Sequence, residues 1–244
     1  MKRTFADLHL RPNLKEPEQV SRIARKAANL GYRLIAFTLP ANITESELGQ
    51  LQSACQEAGI ELASRIDLKP RTPEELLSSI RNLRRKFEIV AVACESKDVA
   101  RQAAKDRRVD LLNFPGLDFR RRFFDEAEAE LASNGVAALE IDSNPILTLE
   151  GPARIRLLST LRREATTAQA LHVPIVISSA ASSVLFMRKP LELAALTSLF
   201  DLKRENALDV VSKNPIDIVK RNREKLSSGF VAPGIRTIRR GKDC

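Results

Sequence analysis

TFADLHLR, residues 4–11, is the stretch from which the fold is read. It is an apolar run with an aspartate and a histidine toward its far end. The same arrangement recurs along the chain: an apolar strand, a charged or small polar residue at its carboxyl end, then an amphipathic helix. Strands that alternate with helices pair in parallel through right-handed crossovers. Seven such strands in 244 residues predict an α/β fold and favour a single TIM-like β/α barrel with extra C-terminal helices over an open sheet, the alternative that strand counting leaves open. Working groups in such a barrel gather at the carboxyl ends of the strands.

Beyond the first strand, RLIAFTL (33–39), IELASRID (60–67), EIVAVACE (88–95), VDLLNFPG (109–116), VAALEID (136–142) and PIVISSAA (174–181) read as strands two to seven. The intervening helices carry local start and stop signals. Pro17 opens one with Val20, Ile23, Ala24 and Ala27 on a single face, and Gly31 ends it. Thr44 and Glu47 form a capping box, Thr72, Pro73 and Glu75 start the next helix, and Ser96 opens a short Ala-rich one. A helix opening near Asp118 would hold Arg120, Arg121 and Arg122 in its first turn, where the macrodipole prefers anions. A long helix over 152–171 would turn Ile155, Leu158, Leu161, Ala165 and Ala168 inward. Pro190 opens another, and 205–212 and 215–226 read as two more, the last capped by Asn214. The barrel domain is thus 1–226, and 227–244 reads as a flexible basic tail with Arg236, Arg239, Arg240 and Lys242.

Hydrophobic residues are 43% and charged residues 29%, values of a globular protein. No run has the apolar length of a membrane span and the start lacks a signal-peptide core, so a cytoplasmic, membrane-free protein is expected. Cys55, Cys94 and Cys244 are too few and too scattered for a disulfide framework or a zinc site, and the first two read as core residues. Forty Lys and Arg against 31 Asp and Glu leave a net charge of +9. That balance points to an anionic partner, nucleic acid being the commonest. Candidate RNA-binding residues are Arg65, Arg84, Arg85, Arg107, Arg120, Arg121, Arg122, Arg188 and Lys189. Aromatic residues are only 5% and Trp is absent, which favours phosphate and shape contacts over base stacking. Two plainer accounts stand beside this one. Cations at the end of the helix near Arg84 suit its dipole, and Asp118, Asp125 and Glu126 could neutralise the arginine run.

At DLHLR the chain resembles the polymerase-and-histidinol-phosphatase (PHP) phosphoesterases, whose first strand ends in Asp-x-His-x-His. Asp7 and His9 fit, but Arg11 stands where the second histidine belongs. Ser178 and Ser179 occupy the region of the family's closing Asp-x-His pair. Asp7, His9, Arg11, Ser178 and Ser179 therefore read as the degenerate rim of a former metal site. ADLHLRPN (6–13), DLLNFPG (110–116), ALEIDSNPIL (138–147) and VISSAASSVLFMRKPLELAALTSLF (176–200) resemble a more specific family, archaeal ribonuclease P protein component 3, a PHP-like barrel without its metal cluster.

That resemblance implies a non-catalytic subunit of an endoribonuclease whose RNA removes the 5′ leader of precursor tRNA. Its partners would be the ribonuclease P RNA, protein component 2, the other protein subunits and, through the complex, precursor tRNA. No catalytic residue, metal ligand or cofactor is then expected in this chain, and Mg2+ would serve the RNA-based holoenzyme. The alternative is a metal-dependent phosphoesterase with a reduced site drawn from Asp7, His9, Glu95, Asp142, Ser143, Ser178 and Ser179. It is poor in ligands: the chain has two histidines, and His172 precedes strand seven, at the opposite end of a barrel from His9.

Overall fold

The computed structural model describes residues 3–115, 122–203, 205–232 and 235–236. β1 (Ala6–Leu10), β2 (Leu34–Thr38), β3 (Glu61–Leu68), β4 (Ile89–Ala93), β5 (Leu111–Asn113), β6 (Ala138–Asp142) and β7 (Ile175–Ser178) form one parallel sheet in chain order. The sheet curls until its first and last strands meet. Beyond β7 the seam is a single bridge, Leu10 to Ala181, in which the Arg11 amide donates to the Ala181 carbonyl at 2.9 Å. The buried Asp7 carboxylate staples the rest of it: one oxygen accepts from the amides of His9 (3.2 Å) and Ser179 (3.0 Å). No eighth barrel strand is present among the described residues.

α1 (Pro17–Leu30), α2 (Glu45–Glu57), α3 (Pro73–Leu83), α4 (Lys97–Lys105), α5 (Glu126–Asn134), α6 (Ser143–Thr148), α7 (Gly151–Ala170), α8 (Pro190–Leu196) and α9 (Lys213–Leu226) complete the fold. The local signals hold. Gly31 ends α1 at φ 99°, Thr44 and Glu47 make a full capping box, and Thr72 and Ser96 cap α3 and α4. Cys55 and Cys94 are buried free thiols.

The barrel interior is built in two layers. Ala6, Leu8, Leu34, Ala36, Ala63, Ile89, Ala91, Leu111, Ala138 and Val176 make a lower, apolar layer, and Ile218 and Val219 of α9 close it from below. Side-chain hydrogen bonds fix that plug. Asn214 donates to the Ile175 carbonyl at 2.7 Å and Asn222 to the Glu88 carbonyl at 2.8 Å. Above the apolar layer, toward the carboxyl ends of the strands, the interior becomes polar.

Several expectations are corrected. Arg122 lies outside any helix, because α5 opens at Glu126 with Asp125 as its cap. Arg120 and Arg121 fall outside the described residues. Ile155 points to solvent, and α7 instead buries Leu157, Leu161, Glu164, Ala165 and Ala168. Residues 205–212 form turns and a short 3-10 segment, not an α-helix. Asn214 lies inside α9 and braces β7, while Ser212 holds the cap position. In the expected tail, β8 (Phe230–Ala232) and β9 (Ile235–Arg236) pair as a small hairpin, and Arg239, Arg240 and Lys242 fall outside the described residues.

Candidate functional site

Strand alternation sends every second side chain into the barrel, but β1 breaks its register between Asp7 and Leu10. Leu8 faces the apolar layer and Leu10 packs outward with the helices. The irregularity turns His9 inward and directs the Leu8 carbonyl at Arg65, whose Nη1 donates to it at 2.7 Å. Bulges of this kind commonly re-aim a side chain at a functional rim. Asp7 and His9, two positions apart, therefore separate, one to the seam and the other to the interior.

Arg65 occupies the middle of the polar layer with no exposed surface. Its Nη1 and Nη2 each donate to a Glu140 oxygen at 2.6 Å, and Nε donates to Asp67 at 2.7 Å. This corrects its assignment to an RNA-facing surface: β3 places the guanidinium inside the barrel, where carboxylates from two strands hold it. Ser178 Oγ donates to Glu140 at 2.8 Å, and Asn113 donates to Glu140 and Asp142 at 3.0 and 3.1 Å. The His9 Nδ1 lies 2.8 Å from Asp142, and Nε2 lies 3.2 Å from Asp67 without hydrogen-bond alignment.

Burial and Arg65 pull the His9 pKa down, but Asp142 and Asp67 outweigh them and hold it at about 9. The surrounding carboxylates thus favour the protonated ring. Burial pushes Asp67 up, whereas Arg65 and His9 bring it well below the ordinary carboxylate range. Burial raises Asp7 despite its hydrogen bonds to Ser179 and His9.

His9, Glu140 and Asp142 bring ligand atoms within 4.8 Å of one another, the only such group of three among the described residues. A metal would need their lone pairs. Both Glu140 oxygens already accept from Arg65. The Arg65 guanidinium thus occupies the carboxylate that would complete a donor set with His9 and Asp142. Over it opens a cavity of about 670 Å³ lined by His9, Thr38, Asp67, Glu95, Asn113 and Asp142, with Arg11 and Lys69 at its edge. Arg11 donates to the Ala180 carbonyl at 3.2 Å, and the buried Ser179 hydroxyl accepts from the Ala181 amide at 3.2 Å.

The remaining candidates divide by exposure. Arg122 is buried: it donates through Nε and Nη2 to Glu164 at 3.0 and 2.5 Å and through Nη1 to the Phe114 carbonyl at 2.7 Å. It is a tie between the segment after β5 and α7, which corrects its reading as a phosphate contact. Arg188 donates to the carbonyls of Leu185 and Met187, and Lys189 is exposed before α8. Arg84, Arg85 and Arg107 lie at the opposite end of the barrel, where α3 and α4 lead into β4 and β5. Arg84 is half-buried on Asp110, while Arg85 and Arg107 are exposed. Sequence reasoning missed Asp67, Asn113 and Glu140 in the polar layer, and Asp110, Arg221 and Lys225 at the base. Strand parity was the available signal for the first group; α9, distant in sequence, carried none for the second.

Among the described residues no helix is long and apolar enough to cross a membrane. The chain is similar to ribonuclease P protein component 3 of Methanosarcina barkeri, 31% identical over 92% of this chain and 90% of that protein. Its counterpart in Methanosarcina mazei is 32% identical over 91% and 89%. A chain in the cryo-EM structure of an archaeal ribonuclease P with mature tRNA superposes with a TM-score of 0.84. It covers 97% of this chain and all of that one at 19% identity, a likeness of fold. The profile of the family described as RNase P subunit p30 matches residues 4–227, the whole barrel with its closing helix. The chain belongs to the ribonuclease P subunit p30 family.

Proposed function

We propose that this chain is a non-catalytic protein subunit of ribonuclease P that binds and stabilises the catalytic RNA during 5′-leader removal from precursor tRNA. The observation that carries the reading is the family match across the whole barrel. Support comes from the polar layer, where the Arg65 guanidinium occupies the Glu140 carboxylate that would complete a donor set for a hydrolytic metal. Exposed cations at Arg85, Arg107 and Lys189 offer phosphate contacts. In this reading Mg2+ acts on the RNA, protein component 2 is the direct protein partner, and the compartment is the cytoplasm. The second reading, a metal-dependent phosphoesterase, draws on the approach of His9, Glu140 and Asp142.

The test is cleavage of a precursor tRNA by the cognate RNA across a magnesium titration, with component 2 alone and with both proteins. Adding this chain should lower the magnesium demand or raise the rate, and the chain alone should cut nothing. Cleavage by the chain without RNA, abolished by His9→Ala, would establish the phosphoesterase instead.

A further inference from the structure

Three helices end at the base of the barrel and each brings cations there. α3 leads into Arg84, Arg85 and Lys86, α4 into Lys105 and Arg107, and the last turns of α9 hold Arg221 and Lys225. Asp110 sits among them, buried. One of its oxygens accepts from Arg84 at 2.8 Å and the other from Arg221 at 3.0 Å, so one carboxylate anchors two guanidinium groups. The Arg221 Nε is buried without a partner. Lys225 reports the crowding. Burial lowers its pKa, Arg221, Arg84 and Arg107 lower it further, and Asp110 opposes them.

A helix C-terminus favours nearby cations, which explains each cluster singly. It does not explain two of them, through Arg84 and Arg221, sharing one buried carboxylate. Like charges held together are relieved by an anion, and a polyanion relieves several at once. The ends of α3, α4 and α9 themselves carry none of the large exposed hydrophobic side chains of the described residues, while Val231 and Ile235 are exposed on the β8–β9 hairpin that follows α9. The cavity at the opposite end of the barrel sets Asp67, Glu95 and Asp142 beside His9, Arg11 and Lys69, a mixed lining without the excess of cations found at the base.

We propose that the base of the barrel is a docking surface for the phosphate backbone of folded RNA. Arg85, Arg107 and Lys225 make the outer contacts, and Arg84 and Arg221 are fixed behind them by Asp110. This rests on the reading of the chain as a ribonuclease P subunit.

The experiment measures affinity of the full chain for its cognate ribonuclease P RNA over a salt series. It compares wild type, the triple variant Arg85→Glu, Arg107→Glu, Lys225→Glu, and a charge-matched control, Lys15→Glu, Arg25→Glu, Lys26→Glu, on and before α1. All six side chains are exposed, so both variants should fold, as circular dichroism would verify. The base variant should bind at least about tenfold more weakly and lose about two to three units of the log–log salt slope, near 0.9 per phosphate released. The control should lose much less of either. Salt-dependent binding that is equal in wild type and base variant overturns the surface and leaves the subunit reading intact. A base variant that keeps RNA but no longer associates with component 2 also overturns it, assigning the surface to protein. Wild type that neither binds the RNA nor alters its cleavage removes the subunit reading, and the surface with it.

Discussion

Glu128 on α5 is fully buried and neither of its carboxylate oxygens has a hydrogen-bond partner. Burial lifts its pKa to about 8, Asp125 adds to the rise, and Arg101 and Lys97 oppose it. The folded value lies above the unfolded one, so the stability of the neutral form is complete below about 4.5 and is lost as pH rises toward 8. In Glu128→Gln that loss should vanish. The stability difference between variant and wild type should grow by about 2–4 kcal/mol between pH 4.5 and 8 and then level off. Urea denaturation at a series of pH values would show it; a difference that stays constant would mean that Glu128 ionises normally. His9 works in a higher window. With its pKa at about 9, the stabilisation it gives is complete below about 6.5 and fades through 9. Pattern reading took Arg65 and Arg122 for surface cations because Arg is seldom buried. Their carboxylate partners, Glu140 and Glu164, are 75 and 42 residues away and invisible to any local rule. Asp7, His9, Ser178 and Ser179 were legible as a rim, yet the turn that parts Asp7 from His9 depends on a register break in β1.

At the scale of elements, what could be read from sequence was what local chemistry decides. Thr44 with Glu47, Thr72, Ser96 and Gly31 set their helix ends through bonds spanning a few residues. α6 went unseen because it starts directly at the end of β6 without a linker. On α7 the expected face holds at Leu161, Ala165 and Ala168 but not at Ile155, and Glu164, drawn inward by Arg122, counts as polar in a periodicity and was missed. Gly135 offers a test of packing between elements. A Cβ there would lie 2.7 Å from the Ala104 carbonyl at the end of α4, closer than such atoms approach. Backbone opposes backbone, so neither side can rotate away. Gly135→Ala should destabilise the protein by about 1–3 kcal/mol, within the range for strained or overpacked sites, and lower its Tm. An unchanged melting curve would show that α4 and α5 can move apart freely.

For the whole molecule, α9 is the decisive part. It follows all seven strands in sequence yet completes the interior they enclose. Ile218 stands against that apolar layer, so Ile218→Asp would put a carboxylate where no polar partner waits. A loss of about 3–5 kcal/mol is expected, the scale of an unpaired buried charge. Broadened unfolding and binding of a hydrophobic dye at neutral pH would report a loosened barrel; a sharp, wild-type transition would show that α9 is dispensable. Seven parallel strands were legible from repetition, which favoured a barrel over an open sheet without deciding between them. The plug was not, since a helix that caps a barrel carries the same pattern as one that flanks it. The plug also sets an order of events during protein synthesis. A nascent chain released from the ribosome as far as residue 212 has its strands but leaves Leu8, Leu34, Ile89 and Leu111 uncovered from below. α9, the last helix of the described residues, therefore shuts the barrel, and until it emerges the nascent chain presents a sticky surface of the sort that chaperones hold.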